Sequence, residues 1–121
     1  MSVDQLKLPP IGQGIGAYSW GDSDWRLIRQ GIDLGLTLID TAEGYNTEEI
    51  VGKAIEGIRE HAIVATKFSP ENSSHQRLTS SAEGSLKRLK TDYIDIYQMH
   101  WPKPEIPLEE TMRACESLVK S

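Results

Sequence analysis

The chain has 121 residues, 38% hydrophobic and 26% charged, with a net charge of −5, enough for one domain with a buried core. The acidic balance argues against nucleic-acid and anionic-membrane partners, which call for basic surfaces, and no apolar run approaches the roughly 18 residues needed to span a bilayer. Cys115 is the single cysteine, so an internal disulfide is excluded and a reducing cytoplasm is the expected setting; Met1 to Gln5 show no charged-then-apolar signal pattern.

In chain order, Pro9-Pro10 lead into a short strand over Ile11 to Gly14. Trp25, Ile28 and Ile32 recur at helical spacing and predict a helix from about Asp24 to Leu34, with Gly35 at its C-terminal cap. Leu36 to Asp40 reads as the second strand. Thr47 is placed to cap a second helix, with Glu48 and Glu49 facing the positive end of its dipole. Its buried side would carry Ile50 or Val51, then Ala54, Ile55 and Ile58. Ala62 to Thr66 is the third strand. A third helix follows from His75 to Leu89, capped by Ser73 or Ser74, with a stripe of Leu78, Ala82, Leu86 and Leu89. The fourth strand runs from Tyr93 to Met99 and is ended by Pro102 and Pro104. Pro107 opens a last helix whose stripe is Leu108, Met112, Cys115 and Val119.

The order is therefore βα four times. Amphipathic helices between strands that are apolar on both faces imply a parallel sheet covered by helices. Right-handed crossovers leave two architectures, an open doubly wound sheet or part of a (βα)8 barrel. A complete barrel needs about 250 residues, so the chain has about half of one.

Three of these strands end on ionisable residues, Asp40, Lys67 and His100, and Tyr45 follows the first within one short loop. Parallel α/β proteins place their chemistry at that end of the sheet. A phenol is a poor proton donor at neutral pH, and a nearby ammonium makes it a better one. Lys67 can supply that charge, Asp40 can hold Lys67, and a neutral His100 can orient a carbonyl oxygen. Such a set protonates an oxygen as it becomes an alkoxide, as carbonyl reduction requires, with the hydride supplied by a cofactor. Taken singly, each residue has a bland explanation: a loop tyrosine, a capping aspartate, a solvated lysine, a satisfied histidine. Four together at strand ends reverse that balance. His61 and His75 read as surface residues, Cys115 as core, and no metal site is expected.

Asp40-Thr41-Ala42-Glu43-Gly44-Tyr45, Glu48-Glu49-Ile50-Val51-Gly52-Lys53-Ala54-Ile55, Ala65-Thr66-Lys67 and Asp92 through Pro102 closely resemble the aldo-keto reductases, in the family's order. The resemblance implies an α/β fold, a (βα)4 half of a TIM (βα)8 barrel with parallel strands and outer helices, as one partial domain over residues 1–121. It implies reduction of aldehydes or ketones with NADPH, less often NADH. Tyr45 would be the general acid, tuned by Asp40 and Lys67, with His100 orienting the substrate. Gly14, Ile15, Gly16, Asp40 and Thr41 would approach the cofactor, and Trp101 would line the substrate pocket beside Tyr45 and His100. Partners would be a small carbonyl compound and, because half a barrel leaves edges and an inner face uncovered, a second copy or a missing C-terminal half. Two other readings stay open: a non-catalytic truncated or regulatory module, and a Rossmann-type domain. For the latter, Gly12, Gly14 and Ala17 match Gly-x-Gly-x-x-Gly/Ala, although Tyr18 to Ser23, where a helix should begin, reads as loop.

Overall fold

A computed structural model describes residues 5–121; the first four, on which the N-terminal reading partly rests, lie outside them. The elements alternate as β1 (Gln13–Gly14), α1 (Trp25–Asp33), β2 (Leu38–Asp40), α2 (Glu48–Ile55), β3 (Ile63–Phe68), α3 (His75–Leu89), β4 (Ile96–Met99) and α4 (Leu108–Lys120). All neighbouring strands pair in parallel, in the order β1-β2-β3-β4. That order never reverses direction, which sets aside the doubly wound and Rossmann readings, whose first strand is internal. No helix opens after Gly14 until Trp25. Each helix packs on the next along the same face of the sheet, as right-handed crossovers between adjacent strands require. The result is half of a (βα)8 barrel. No helix of the described residues is long and apolar enough to cross a membrane.

The sheet divides its side chains by parity, because successive residues of a strand point to opposite faces. Ile39, Val64 and Phe68 face the helices and are fully buried. Ile39 and Val64 join Ile28, Val51, Ile55 and Leu89 in one core; Phe68 joins Leu78 and Ala114 in a second. Gln13 lies on the helix side too, its amide donating to the carbonyls of Ile28 (3.0 Å) and Leu36 (3.1 Å). Gly14, Asp40 and Ala65 share one register row on the opposite, inner face, and Lys67 pairs with Gln98 beyond it.

Strand ends differ from the expectation for identifiable reasons. Leu36 does not begin β2, because its N–H donates to Gly31 O (2.9 Å) while that of Gly35 donates to Ile32 O (3.0 Å). These are the two bonds of a Schellman cap, with Gly35 at φ 102°. Lys67 lies inside β3, which runs on to Phe68. Tyr93 and Ile94 precede the ladder, whose first bond runs from the Asp95 N–H to Val64 O (3.1 Å), and a side chain secures this stretch. Arg59 donates to Tyr93 O (2.9 Å), to Asp95 Oδ2 (2.8 Å), to Ala62 O (2.8 Å) and to Thr91 Oγ1 (3.0 Å). Asp95 Oδ2 also accepts the Val64 N–H (2.8 Å).

Two helix expectations are corrected. Thr47 occupies the N-cap of α2 but does not cap it; its hydroxyl donates to Ile15 O and pairs with Thr41 Oγ1, both at 2.8 Å. Glu48 stands in the first turn of α2 as expected, and its carboxylate is also buried. It is 1% exposed and accepts from Thr66 Oγ1 (2.7 Å) and Arg88 Nε (2.8 Å). On α4 the buried side is Thr111 and Ala114, with Cys115 and Leu118 half-buried, while Leu108, Met112 and Val119 are exposed. The Thr111 hydroxyl donates to Ser73 O (2.8 Å), and Ala114 fits against Phe68 and Leu78. A small, hydrogen-bonded side therefore wins over the larger apolar one. On α3, Ser74 is the cap and accepts the Arg77 N–H (3.4 Å), while Leu86 is only half-buried.

Gly52 records how closely α2 and α3 approach. A Cβ there would lie 2.7 Å from Arg88 O and 2.9 Å from Leu89 O. Alanine normally stabilises a helix over glycine by about 1 kcal/mol, but overpacking costs about 1–3 kcal/mol. Gly52→Ala is therefore expected to lower the thermal midpoint; a raised midpoint would show that the two helices separate without penalty.

Candidate active site

The inner face and the loops beyond the C-terminal strand ends gather the ionisable residues singled out above. Asp40 closes β2 and Lys67 stands on the neighbouring β3, so adjacent inner-face rows bring amine to carboxylate. Lys67 Nζ lies 2.7 Å from Asp40 Oδ2 and donates to Thr41 O at 2.9 Å. Lys67 is mostly buried, whereas Asp40 retains 41% side-chain exposure. The pair is thus open to solvent on the carboxylate side.

Tyr45 ends a single 3-10 turn, Glu43–Tyr45, between β2 and α2. His100 follows β4, and its N–H reaches back to Phe68 O (3.1 Å), which extends the pairing by one residue. The two side chains meet: Tyr45 Oη is 3.2 Å from His100 Nε2, with the rings edge to face at 5.2 Å and 83°. Lys67 Nζ lies 5.1 Å from the centre of the Tyr45 ring, within the range of a cation–π attraction. Phenol, imidazole, amine and carboxylate therefore form one cluster. Trp101 packs on His100 at 4.2 Å between ring centres and is 57% exposed, beside the histidine rather than in the core.

The five residues expected near a cofactor separate into two groups. Gly14 pairs in register with Asp40, and open space surrounds the position its Cβ would take; Gly16 follows, half-exposed. A flat ring can approach the backbone closely at Gly14, whereas the Tyr18 ring lies 3.2 Å from where a Cβ of Gly16 would stand. Ile15 and Thr41, by contrast, present no side chain to that space. Ile15 is 3% exposed in the helix-side core, because one residue beyond Gly14 the parity of the strand reverses. Thr41 is fully buried, its hydroxyl on Thr47 and its carbonyl on Lys67. Its position supports the amine.

Gln98 was not anticipated. It sits two residues before His100 on the same strand face, and its amide points to Asp40 Oδ1 at 3.5 Å. The alternation Gln98, His100 was the available signal. Burial pushes the Tyr97 phenol far above its ordinary range, against the opposing influence of its Ser81 hydrogen bond. Burial likewise raises the Cys115 thiol. Both side chains pack against the Phe68 core, on the opposite side of the sheet from the cluster, which suits structural roles. His61 and His75 are exposed.

The model of the aldo/keto reductase family matches residues 11–121. The aldo-keto reductase YhdN of Bacillus subtilis is 45% identical, over 89% of this chain and 39% of its own length. The methylglyoxal reductase YeaE of Escherichia coli is 42% identical, over 94% and 42%. The crystal structure of an aldo/keto reductase from Klebsiella pneumoniae in complex with NADP and acetate superimposes with a TM-score of 0.89 at 40% identity, covering 97% of this chain and 44% of that one. The chain spans about two fifths of the length of the curated relatives it matches.

Proposed function

Because the chain belongs to the aldo-keto reductase family, we propose that it carries the proton-donating half of an NADPH-dependent reductase of small aldehydes and ketones. The observation that carries this reading is the contact between the Tyr45 phenol and the His100 imidazole, with the Lys67 amine beneath the phenol ring. NADPH, when bound, supplies the hydride that no side chain can supply. Gly14 and Asp40 are the residues suited to its nicotinamide end, since they border the open part of the inner face.

The protein's own part is proton transfer. A carbonyl oxygen seated between Tyr45 Oη and His100 Nε2 accepts a hydrogen bond from each, with imidazole as a neutral donor. As negative charge builds on that oxygen, Tyr45 yields its proton. The Lys67 ammonium then stabilises the phenolate left behind, an interaction strengthened by its burial. Asp40 and the Thr41 carbonyl hold the amine in place. Gln98 limits the freedom of the Asp40 carboxylate, and Trp101 offers an apolar wall beside the imidazole.

A full site calls for more than these four βα units. Among the described residues β1 and β4 are each paired on one side only, and edges of that kind favour further pairing. A second copy of the chain or four further units would supply it, together with the rest of the cofactor site. The test is direct. Titration with NADPH is expected to quench the fluorescence of Trp20, Trp25 and Trp101, and addition of a simple aromatic aldehyde to oxidise the bound NADPH. Quenching without oxidation would favour a cofactor-binding module that lacks turnover; neither response would overturn the proposal.

A further inference from the structure

The turn that presents Tyr45 has little of its own to hold it. None of its three residues is buried. Its internal backbone bond is Tyr45 N–H to Ala42 O at 3.1 Å, and the chain leaves it through Asn46 at φ 57°. Core packing therefore does not set the direction of the Tyr45 side chain.

Glu43, two residues earlier, ties the turn to two other elements directly and to a third through one of them. One carboxylate oxygen accepts from the Asn72 side-chain amide, in the short turn Pro70–Asn72 that follows β3. The other accepts from Ser81 Oγ, on the buried-face side of the fifteen-residue helix α3. Ser81 Oγ in turn accepts from the Tyr97 hydroxyl at 3.3 Å. Tyr97 belongs to β4, three residues before His100, and its ring is wedged against Phe68 at 5.2 Å. A single carboxylate thus connects the element bearing the phenol, through α3, with the strand bearing the imidazole.

We infer that Glu43 is a positioning residue that sets the Tyr45 phenol against His100, a role that rests on the reading of Tyr45 as proton donor. Glu43 does not touch the reacting atoms. It acts by fixing the turn from behind, on the helix side, where a polar cleft of about 300 Å³ lined by Glu43, Asn46, Ser69, Asn72, Ser81 and Arg88 separates the turn from α3. Charge-assisted hydrogen bonds to a rigid helix suit this task better than apolar contact, because they fix direction as well as distance.

The experiment is nuclear magnetic resonance on the chain with labelled tyrosine and histidine, following the cross-peak between the Tyr45 and His100 rings. Glu43→Ala is expected to cut that cross-peak by more than half while the contact between His100 and Trp101 persists. Glu43→Gln, which keeps an acceptor for Asn72 and reaches Ser81 through its amide, is expected to restore most of it. The double change of Asn72→Ala and Ser81→Ala, which leaves the turn's own sequence intact, is expected to reproduce the loss. A cross-peak unchanged in Glu43→Ala overturns the role. Should Glu43→Ala unfold the chain, the double variant decides: an undiminished cross-peak there overturns it equally. The readout needs no turnover. A chain that fails to reduce aldehydes but loses its cross-peak without Glu43 refutes the reductase reading and leaves the tether standing.

Discussion

Tyr45→Phe is expected to lower the turnover number for aldehyde reduction by about 10²–10⁴, the usual worth of a positioned general acid, with NADPH binding little changed. The phenol oxygen is the one group of the cluster both within 3.2 Å of His100 Nε2 and able to release a proton to an alkoxide. Phenylalanine keeps the ring, its edge-to-face contact with His100 and its place over Lys67. The loss is therefore specific to the hydroxyl. Stopped-flow measurement of NADPH oxidation separates this from a binding defect: a lower rate at saturating aldehyde and cofactor is the expected result. Retention of more than about a tenth of the rate would assign the proton to another donor, and His100→Gln would then be the variant to measure.

Arg59→Met is expected to cost about 3–5 kcal/mol of stability, the typical result of removing one member of a buried ion pair. Its side chain is 14% exposed and that of its partner Asp95 is 6% exposed. One guanidinium satisfies Thr91, Ala62, Tyr93 and Asp95, and it also lies over the Tyr93 ring at 3.8 Å. Taking it away leaves a carboxylate underneath the sheet with only the Val64 N–H to face it. Against a total of about 5–15 kcal/mol for an ordinary domain, this change threatens folding itself. Urea unfolding gives the value. Adding Asp95→Asn should recover part of the loss, since the amide oxygen can still accept from Val64 while the unpaired charge is gone. A double variant no more stable than the single one would mean that the other Arg59 contacts carry the energy.

The two predictions concern opposite ends of the same sheet, and the two ends were unequally legible. Asp40, Tyr45, Lys67 and His100 stood out because ionisable groups closing apolar runs are rare, and because family motifs place them in order. Arg59 did not stand out. It lies in a short polar stretch with no periodicity, and its partners are carbonyls and side chains up to 36 residues away. Glu48 shows the same limit from the other direction. An acid in the first turn of a helix reads naturally as a dipole partner, whereas its burial depends on Arg88, 40 positions later.

Alternation of short apolar runs with amphipathic helices was enough to specify four parallel βα units, because periodicity is a local property that each segment carries alone. Gly35, Ser74 and the span of α3 belong to the same class, being set by neighbours within a few residues. Which face of α4 is buried was not of this kind. Two stripes one position apart were available, and the choice fell to Thr111 and Ala114 through contacts with Ser73, Phe68 and Leu78 on other elements. The same holds for the burial of Ile15 and Thr41, where side-chain parity at the exact strand end outweighs nearness in sequence to Gly14 and Asp40. Pairing energies between distant segments depend on register and approach in three dimensions, and a linear pattern contains neither.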